Sequence, residues 1–549
     1  MKKLWLISII VAMVFLFACS NDFARVAQLP TIDQNKFLQH VKILSSDEFG
    51  GRAPATPGGR KTVQYLEQQF KSMSLQPAFA NSSYRQDVDL MIITAADSAD
   101  LRVTSKKGEQ MSLAYKQDMV TWTRKPVASA ALQDSELVFV GYGVVAPEYN
   151  WNDYAGLDMR GKTAVIMVND PGYLSDEDGF FKNKAMTYYG RWTYKFDEAA
   201  RQGAAGAIII HQTDAAGYPW GVVSGSWTGP QYHLREAGSN RLGDVEGWIT
   251  EAAAKKLFSA AGQDFAALTT AARKPGFTAV NFDMTVNASL ANTLAESASH
   301  NVAAIVPGTL APEEYFIFTA HWDHIGTDES NTETDNIYNG AVDNATGTAA
   351  ILELARMFAE NRPQRSIIFL AVTAEESGLL GSAAYVEDPA APLKQTVAGI
   401  NMDGMGVYGA THDVTVIGWD ASDLQDYLSR AASLQGRTLV PESTPEKGYF
   451  YRSDHFNFVK KGVPMMYAEA GIDVRNKGKD WGSVQQADYV KNRYHQPSDE
   501  YSDDWDLGGI IQDIQMNFVV AKEIANSSAW PEWRDGNEFK AIREASRAQ

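Results

Sequence analysis

Four clusters of acids and histidines, each at the end of an apolar run, limit this chain more than any other feature. Phe318-Thr-Ala-His-Trp-Asp-His324 follows Tyr315-Phe-Ile-Phe. Gly340-Ala-Val-Asp-Asn-Ala-Thr-Gly347 leads into a run with Ile351, Leu354, Ala355 and Phe358 at helical spacing. Thr373-Ala-Glu-Glu-Ser-Gly378 follows Ser366-Ile-Ile-Phe-Leu-Ala-Val, and Asn401-Met-Asp-Gly404 follows Val397-Ala-Gly-Ile. Short apolar runs bounded by turn residues read as buried strands. The order is strand, helix, strand, with the polar clusters at the strand ends. Open α/β sheets build their sites there.

Those clusters hold His321, Asp323, Asp343, Glu376 and Asp403, and a distant His495 completes a mixed nitrogen and oxygen donor set. Such donors suit zinc, and also cobalt or manganese. A single catalytic zinc keeps three protein ligands and an open position. Five ligands fit two metals if one carboxylate bridges, and a metal pair can clamp a carbonyl oxygen. Asp323, two residues from His321, is placed to orient that imidazole. Of the Glu375-Glu376 pair, one carboxylate can hold metal while the other serves as general base. His40, His211, His233, His300, His324, His412 and His455 are read as structural or surface residues.

The 549 residues allow more than one domain. A net charge of −18 argues against a nucleic-acid partner and against binding to anionic lipid surfaces. Lys2 and Lys3 precede an apolar stretch from Leu4 to Ala18, which reads as a signal peptide over 1–18. Cys19, the only cysteine, follows at once, as in a bacterial lipobox, so 19–30 reads as a lipid-anchored tether. Phe17 is bulkier than that pattern usually carries, and a plain secretory signal is the alternative. Ser20 in place of aspartate points to the outer membrane of a Gram-negative bacterium, facing the periplasm. Membrane contact is expected only through the lipid on Cys19, and oligomeric state is left open.

Thr31–Leu44 reads as a helix, and Thr56 with Pro57 as the start of another. From near residue 131 a second unit begins, with strands around Leu137-Val-Phe and Thr163-Ala-Val-Ile-Met, a helix from Phe196 and a strand at Ala207-Ile-Ile-Ile-His. Its glycines lack the lysine and hydroxyl of a phosphate loop. Asp328–Asp335 is a polar acidic loop within an insert, Thr327–Tyr338, that would favour a cationic amine if it rims the site.

At the four clusters and His495 the chain resembles the di-zinc exopeptidases. That family includes secreted bacterial aminopeptidases, glutamate carboxypeptidase II and the transferrin receptor ectodomain. The resemblance implies an α/β fold with a mixed central sheet flanked by helices, formed by 31–130 and 281–549. It implies one zinc on His321, Asp343 and Asp403 and a second on Asp343, Glu376 and His495, with Asp343 bridging. Glu375 matches the general base, Tyr494 the donor to the tetrahedral oxyanion, and Asp343-Asn344 the place of a cis peptide. Arg452 lies in a segment that resembles one near the family's substrate pocket. Residues 131–280 resemble an inserted β-rich protease-associated domain, in which Arg191 or Tyr194 would face substrate. The implied activity is release of N-terminal residues from peptides by water activated between two zinc ions. A carboxypeptidase or dipeptidase on the same scaffold, or a non-catalytic binding ectodomain, are the alternatives.

Overall fold

The computed structural model describes residues 29–96, 100–175, 177, 179–236, 242–331 and 335–548. The expected signal peptide and the cysteine tether up to residue 28 lie outside the described residues. The chain divides into two compact units. The first takes the chain up to Val88, Ser299–Glu442 and the chain from Ser453; the second takes Asp89–Ala298 and Ser443–Arg452. The stretch 131–280 therefore lies inside a wider unit.

In the first unit, helix α1 spans Gln34–Leu44 and helix α2 Pro57–Ser72. Asp33 caps α1 by accepting from the Lys36 amide, and Thr56 caps α2 by accepting from the Gly59 amide. Pro57 occupies the first turn, where a missing amide costs nothing. The strands are β1 (Val280–Val306), whose last residues belong here, β2 (Ala311–His321), β3 (Arg365–Val372), β4 (Thr396–Asn401), β5 (Asp413–Ile417), β6 (Thr438–Pro441) and β7 (Met465–Ala470). Pairing gives the order β1-β3-β2-β4-β7-β5-β6. The central pairs β3-β2, β2-β4 and β4-β7 are parallel, whereas β1-β3 and β7-β5 are antiparallel. This is the mixed sheet flanked by helices that the resemblance implies.

Parallel strands buried on both faces need continuous apolar runs, and β3 is buried at every position. Helix α3 (Gly347–Glu360) joins β2 to β3 and is buried on nearly every side, including Ile351, Leu352, Leu354 and Phe358. Each such side chain contributes about 1.5–3 kcal/mol of burial. The strand ends are thus held by a fully buried strand and a helix buried on nearly every side. No helix among the described residues is long and apolar enough to cross a membrane.

The second unit is rich in strands. Thr163–Met167, Gly206–His211 and Val245–Thr250 run parallel, and Met119–Trp122 adds antiparallel to the last. Ser129–Phe139 pairs parallel with Thr163–Met167 and antiparallel with the first part of β1. Helices Trp192–Arg201 and Glu251–Ala260 accompany this sheet.

Candidate metal centre

β2, β3 and β4 run parallel, so their C-terminal ends fall together. His321 ends β2, Glu375 and Glu376 lie just past β3, and Asp403 lies two residues past β4. Asp343 arrives from the irregular turn before α3, where the Asp343–Asn344 peptide is cis as expected. Asn344 ties that turn to the β4 end: its amide group donates to the Met402 carbonyl at 3.0 Å, and its Oδ1 accepts from the amides of Gly347 and Gly404. A side chain at Gly347 would meet Asn344 Oδ1 and the Met402 carbonyl within 2.6 Å, so only glycine fits this approach.

The Asp343 carboxylate is shared between two histidines. His321 Nε2 lies 3.2 Å from Oδ1, and His495 Nε2 lies 3.3 Å from Oδ2. His321 Nε2 also lies 3.0 Å from Asp403 Oδ1, and His495 Nε2 lies 3.0 Å from Glu376 Oε2. Two donors on one tetrahedral ion with bonds of about 2.0–2.1 Å stand about 3.3 Å apart. These spacings fit that edge. His495 Nε2 is buried yet has no aligned hydrogen bond, so hydrogen bonding does not account for its two close carboxylates. Among the described residues, donor atoms of His321, Asp343 and Asp403 gather within 4.8 Å, as do those of His321, Glu375 and Glu376, and of His324, Asp343 and Glu376. The chemistry of this donor set fits two adjacent ions.

The charges respond to one another. Burial disfavours the His321 imidazolium, but Asp403, Glu375 and Asp343 hold its pKa well above the usual value. For His495 burial acts in the same sense, and Glu376 and Asp343 nevertheless raise it to about 10. Asp343 feels burial upward, but the two histidines pull it well below the usual carboxylate range. Glu375 goes the other way. Burial, then the negative charges of Asp403 and Glu376, push it well above its usual value despite His321.

Asp323 is fully buried, and its Oδ1 accepts from the Glu375 amide at 3.2 Å. The same oxygen lies 3.9 Å from His321 Nδ1, while that nitrogen is 3.2 Å from the Asp323 carbonyl. Asp323 therefore positions Glu375 as well as facing the histidine. Tyr494 is 46% exposed, and its ring stacks on His495 with centroids 3.9 Å apart.

Four further residues shape the site. His324 departs from the structural or surface expectation: its Nδ1 lies 2.6 Å from Glu376 Oε1. That is hydrogen-bond length, shorter than a ligand edge, so His324 fixes one oxygen of Glu376 and leaves Oε2 facing His495. Ser453 donates its hydroxyl to Asp403 Oδ2 at 2.6 Å. Asp499 accepts from the Val342 and Asp343 amides at 3.1 and 3.0 Å. Arg52, 1% exposed, donates to the carbonyls of Trp322, Leu44, Asn339 and Gly340. Burial lowers its pKa to about 10, against the pull of Asp343, Asp499, Asp323 and Glu376.

Three residues expected to meet substrate lie in the second unit. Tyr194 is 8% exposed, and its hydroxyl lies 3.1 Å from the Val145 amide and donates to the Val145 carbonyl at 3.2 Å. It is a packed core residue of that unit, with its hydroxyl taken up by backbone. Arg191 and Arg452 lie close enough there for the charge of one to act on the other. In the acidic insert, Gly326–Thr327 pairs with Ile337–Tyr338, and Asp328 accepts from the amide and hydroxyl of Ser330. Residues 332–334 lie outside the described residues.

Residues 301–519 match the model of peptidase family M28. The M28 match covers all the candidate ligands. A probable zinc metalloprotease of Pyricularia oryzae is 29% identical over 252 residues, 42% of this chain and 49% of that protein. Aminopeptidase NAALADL1 of Mus musculus is 37% identical over 125 residues, 22% of this chain and 15% of that protein. The chain thus spans about half the length, or less, of these curated relatives. Among solved structures, an aminopeptidase from Aneurinibacillus sp. strain AM-1 aligns over 91% of this chain and 95% of its own, with 22% identity and a TM-score of 0.49. A peptidase M28 precursor from Shewanella amazonensis SB2B aligns over 94% and 98%, with 19% identity and a TM-score of 0.41.

Proposed function

We propose that this chain is a metal-dependent exopeptidase, an aminopeptidase that removes N-terminal residues from peptides with two zinc ions. The observation that carries the reading is the Asp343 carboxylate, with one oxygen toward His321 and the other toward His495. His321, Asp343 and Asp403 would hold one ion, and Asp343, Glu376 and His495 the other. Cobalt and manganese accept the same donors. When bound, the metals supply Lewis acidity that lowers the pKa of water and polarises the scissile carbonyl.

The remaining work falls to the chain. Glu375 takes a proton from the attacking water and returns it to the departing amine. Its carboxyl, raised by burial and like charge, drops toward ionisation when cations neutralise its neighbours. Asp323 holds the Glu375 backbone in place. Tyr494, on the exposed rim beside His495, donates its hydroxyl to the oxyanion. The second unit is read as a protease-associated domain. The N-terminal segment is read as an export signal with a lipid on Cys19, which places the enzyme at the periplasmic face of an outer membrane. The aminopeptidase name of the mouse relative supports the direction of cleavage. A carboxypeptidase or dipeptidase uses the same metals. A non-catalytic ectodomain has no need of Glu375 beside a complete donor set.

The test is hydrolysis of peptides with free or acetylated N-termini and free or amidated C-termini, with and without chelator. Chelator-sensitive cleavage that requires a free N-terminus supports the proposal. Cleavage that requires a free C-terminus moves it to carboxypeptidase. Zinc-loaded protein that cleaves nothing overturns it.

A further inference from the structure

The second unit holds two arginines close enough to feel each other's charge, neither paired with an acid among the described residues. Arg191 precedes the helix Trp192–Arg201, and Arg452 closes the segment Ser443–Arg452. Arg191 Nε and both Nε and Nη2 of Arg452 are buried and have no hydrogen-bond acceptor. Among the described residues neither guanidinium forms an ion pair with a carboxylate. Tyrosines surround them: Arg452 Cζ lies 5.8 Å from the Tyr218 ring centre and 5.2 Å from that of Tyr449. Rings of this kind hold a cation but satisfy none of its N–H groups.

Two other cations of the unit have acidic neighbours. Arg124 pairs with Glu246 at 2.7 Å and Asp197 at 2.9 Å, and the fully buried Lys195 faces Asp170 and Asp153. Arg191 has burial and the charge of Arg452 acting against it, and its pKa falls to about 9. Two half-buried like charges whose buried donors are open are costly unless an anion sits between them. Guanidinium forks match a carboxylate in a bidentate way. The chain's net charge of −18 disfavours a multivalent anion.

We propose that Arg191 and Arg452 form a carboxylate-binding site walled by Tyr218 and Tyr449. The carboxylate comes either from a peptide or from a free organic acid. The peptide case rests on the exopeptidase reading; the binding itself does not.

Zinc-loaded protein is titrated calorimetrically with succinate, alongside Arg191→Met and Arg452→Met. Saturable binding that weakens at least about tenfold in each variant is expected, since each fork contributes charge-assisted bonds. Thermal melting of the variants checks folding, and removing an unpaired half-buried charge should leave the midpoint no lower. Kinetics then separate the sources. A dipeptide with a free C-terminus that shows a lower KM than its amide, with the difference lost in both variants, identifies the peptide carboxylate. Variant-sensitive succinate binding with equal KM for acid and amide identifies a free acid. Absence of both succinate binding and acid preference in the wild type overturns the site, and so does their survival in both variants. If no peptide is hydrolysed at all, the titration still decides.

Discussion

The two units leave unbalanced charges of opposite sign. In the first, Asp343, Glu375, Glu376, Asp403, Asp323 and Asp499 crowd around three histidines and Arg52. The surplus is negative, and it holds the pKa of His321 well above the usual value and raises that of His495 to about 10 despite burial. In the second, Arg191 and Arg452 leave a positive surplus ringed by aromatic side chains. A buried surplus points to the partner that relieves it: cations for one unit, an anion for the other. Where no partner is needed, as at Arg124 with Glu246, the chain supplies its own counter-charge.

The strongest way to break the comparison is at Glu375. Glu375→Gln should lower kcat by roughly 10²–10⁴-fold while zinc content stays the same, because the residue moves protons and holds no metal in the proposal. Parallel loss of zinc, measured by atomic emission, would instead make it a ligand. Next in size is Arg52→Met. It removes the fixed positive charge and strands four carbonyls, and should cost about 3–5 kcal/mol in urea unfolding of metal-free protein. Added zinc should restore part of that loss if the negative surplus is the reason for the residue.

His324→Ala should weaken zinc binding about 10–100-fold at the Glu376 side, read by competition with a chromophoric chelator. The smallest effect is on acid stability. Burial holds His40 in the first unit and His233 in the second at about 4, against 6.5 for an exposed imidazole. Both are neutral in the folded chain while the unfolded chain takes up protons below 6.5. The stability they contribute is present above pH 6.5 and is lost as pH falls toward 4. His233→Gln should flatten the fall of the melting temperature between pH 6.5 and 4.5; an unaltered slope would place the acid sensitivity elsewhere.

The meeting of His321, Asp343, Glu376, Asp403 and His495 was legible because dense clusters sit on strand ends, and strand ends of a parallel sheet converge. Apolar runs and caps such as Thr56 before Pro57 carried the elements. The supporting residues were not legible. His324 stands in the same cluster as His321, yet its partner Glu376 comes from another cluster, and Ser453, Asp499 and Arg52 depend likewise on contacts across long stretches of chain, such as Arg52 to the Gly340 carbonyl. Tyr194 and Arg191 share one aromatic and basic stretch, and only packing separates them. One buries its hydroxyl on Val145, while the other keeps open donors. The second unit's start at Asp89 rather than near 131 reflects strand pairing: Asp100–Ser105 joins the same strand β1 as Ser129–Phe139.

The most direct test of the account is zinc stoichiometry in wild type and Asp343→Asn, after loading and gel filtration. Two zinc ions per wild-type chain, falling to one or none in Asp343→Asn, is the predicted result, since that carboxylate faces both histidines. A single ion in the wild type, or two retained by Asp343→Asn, would contradict it.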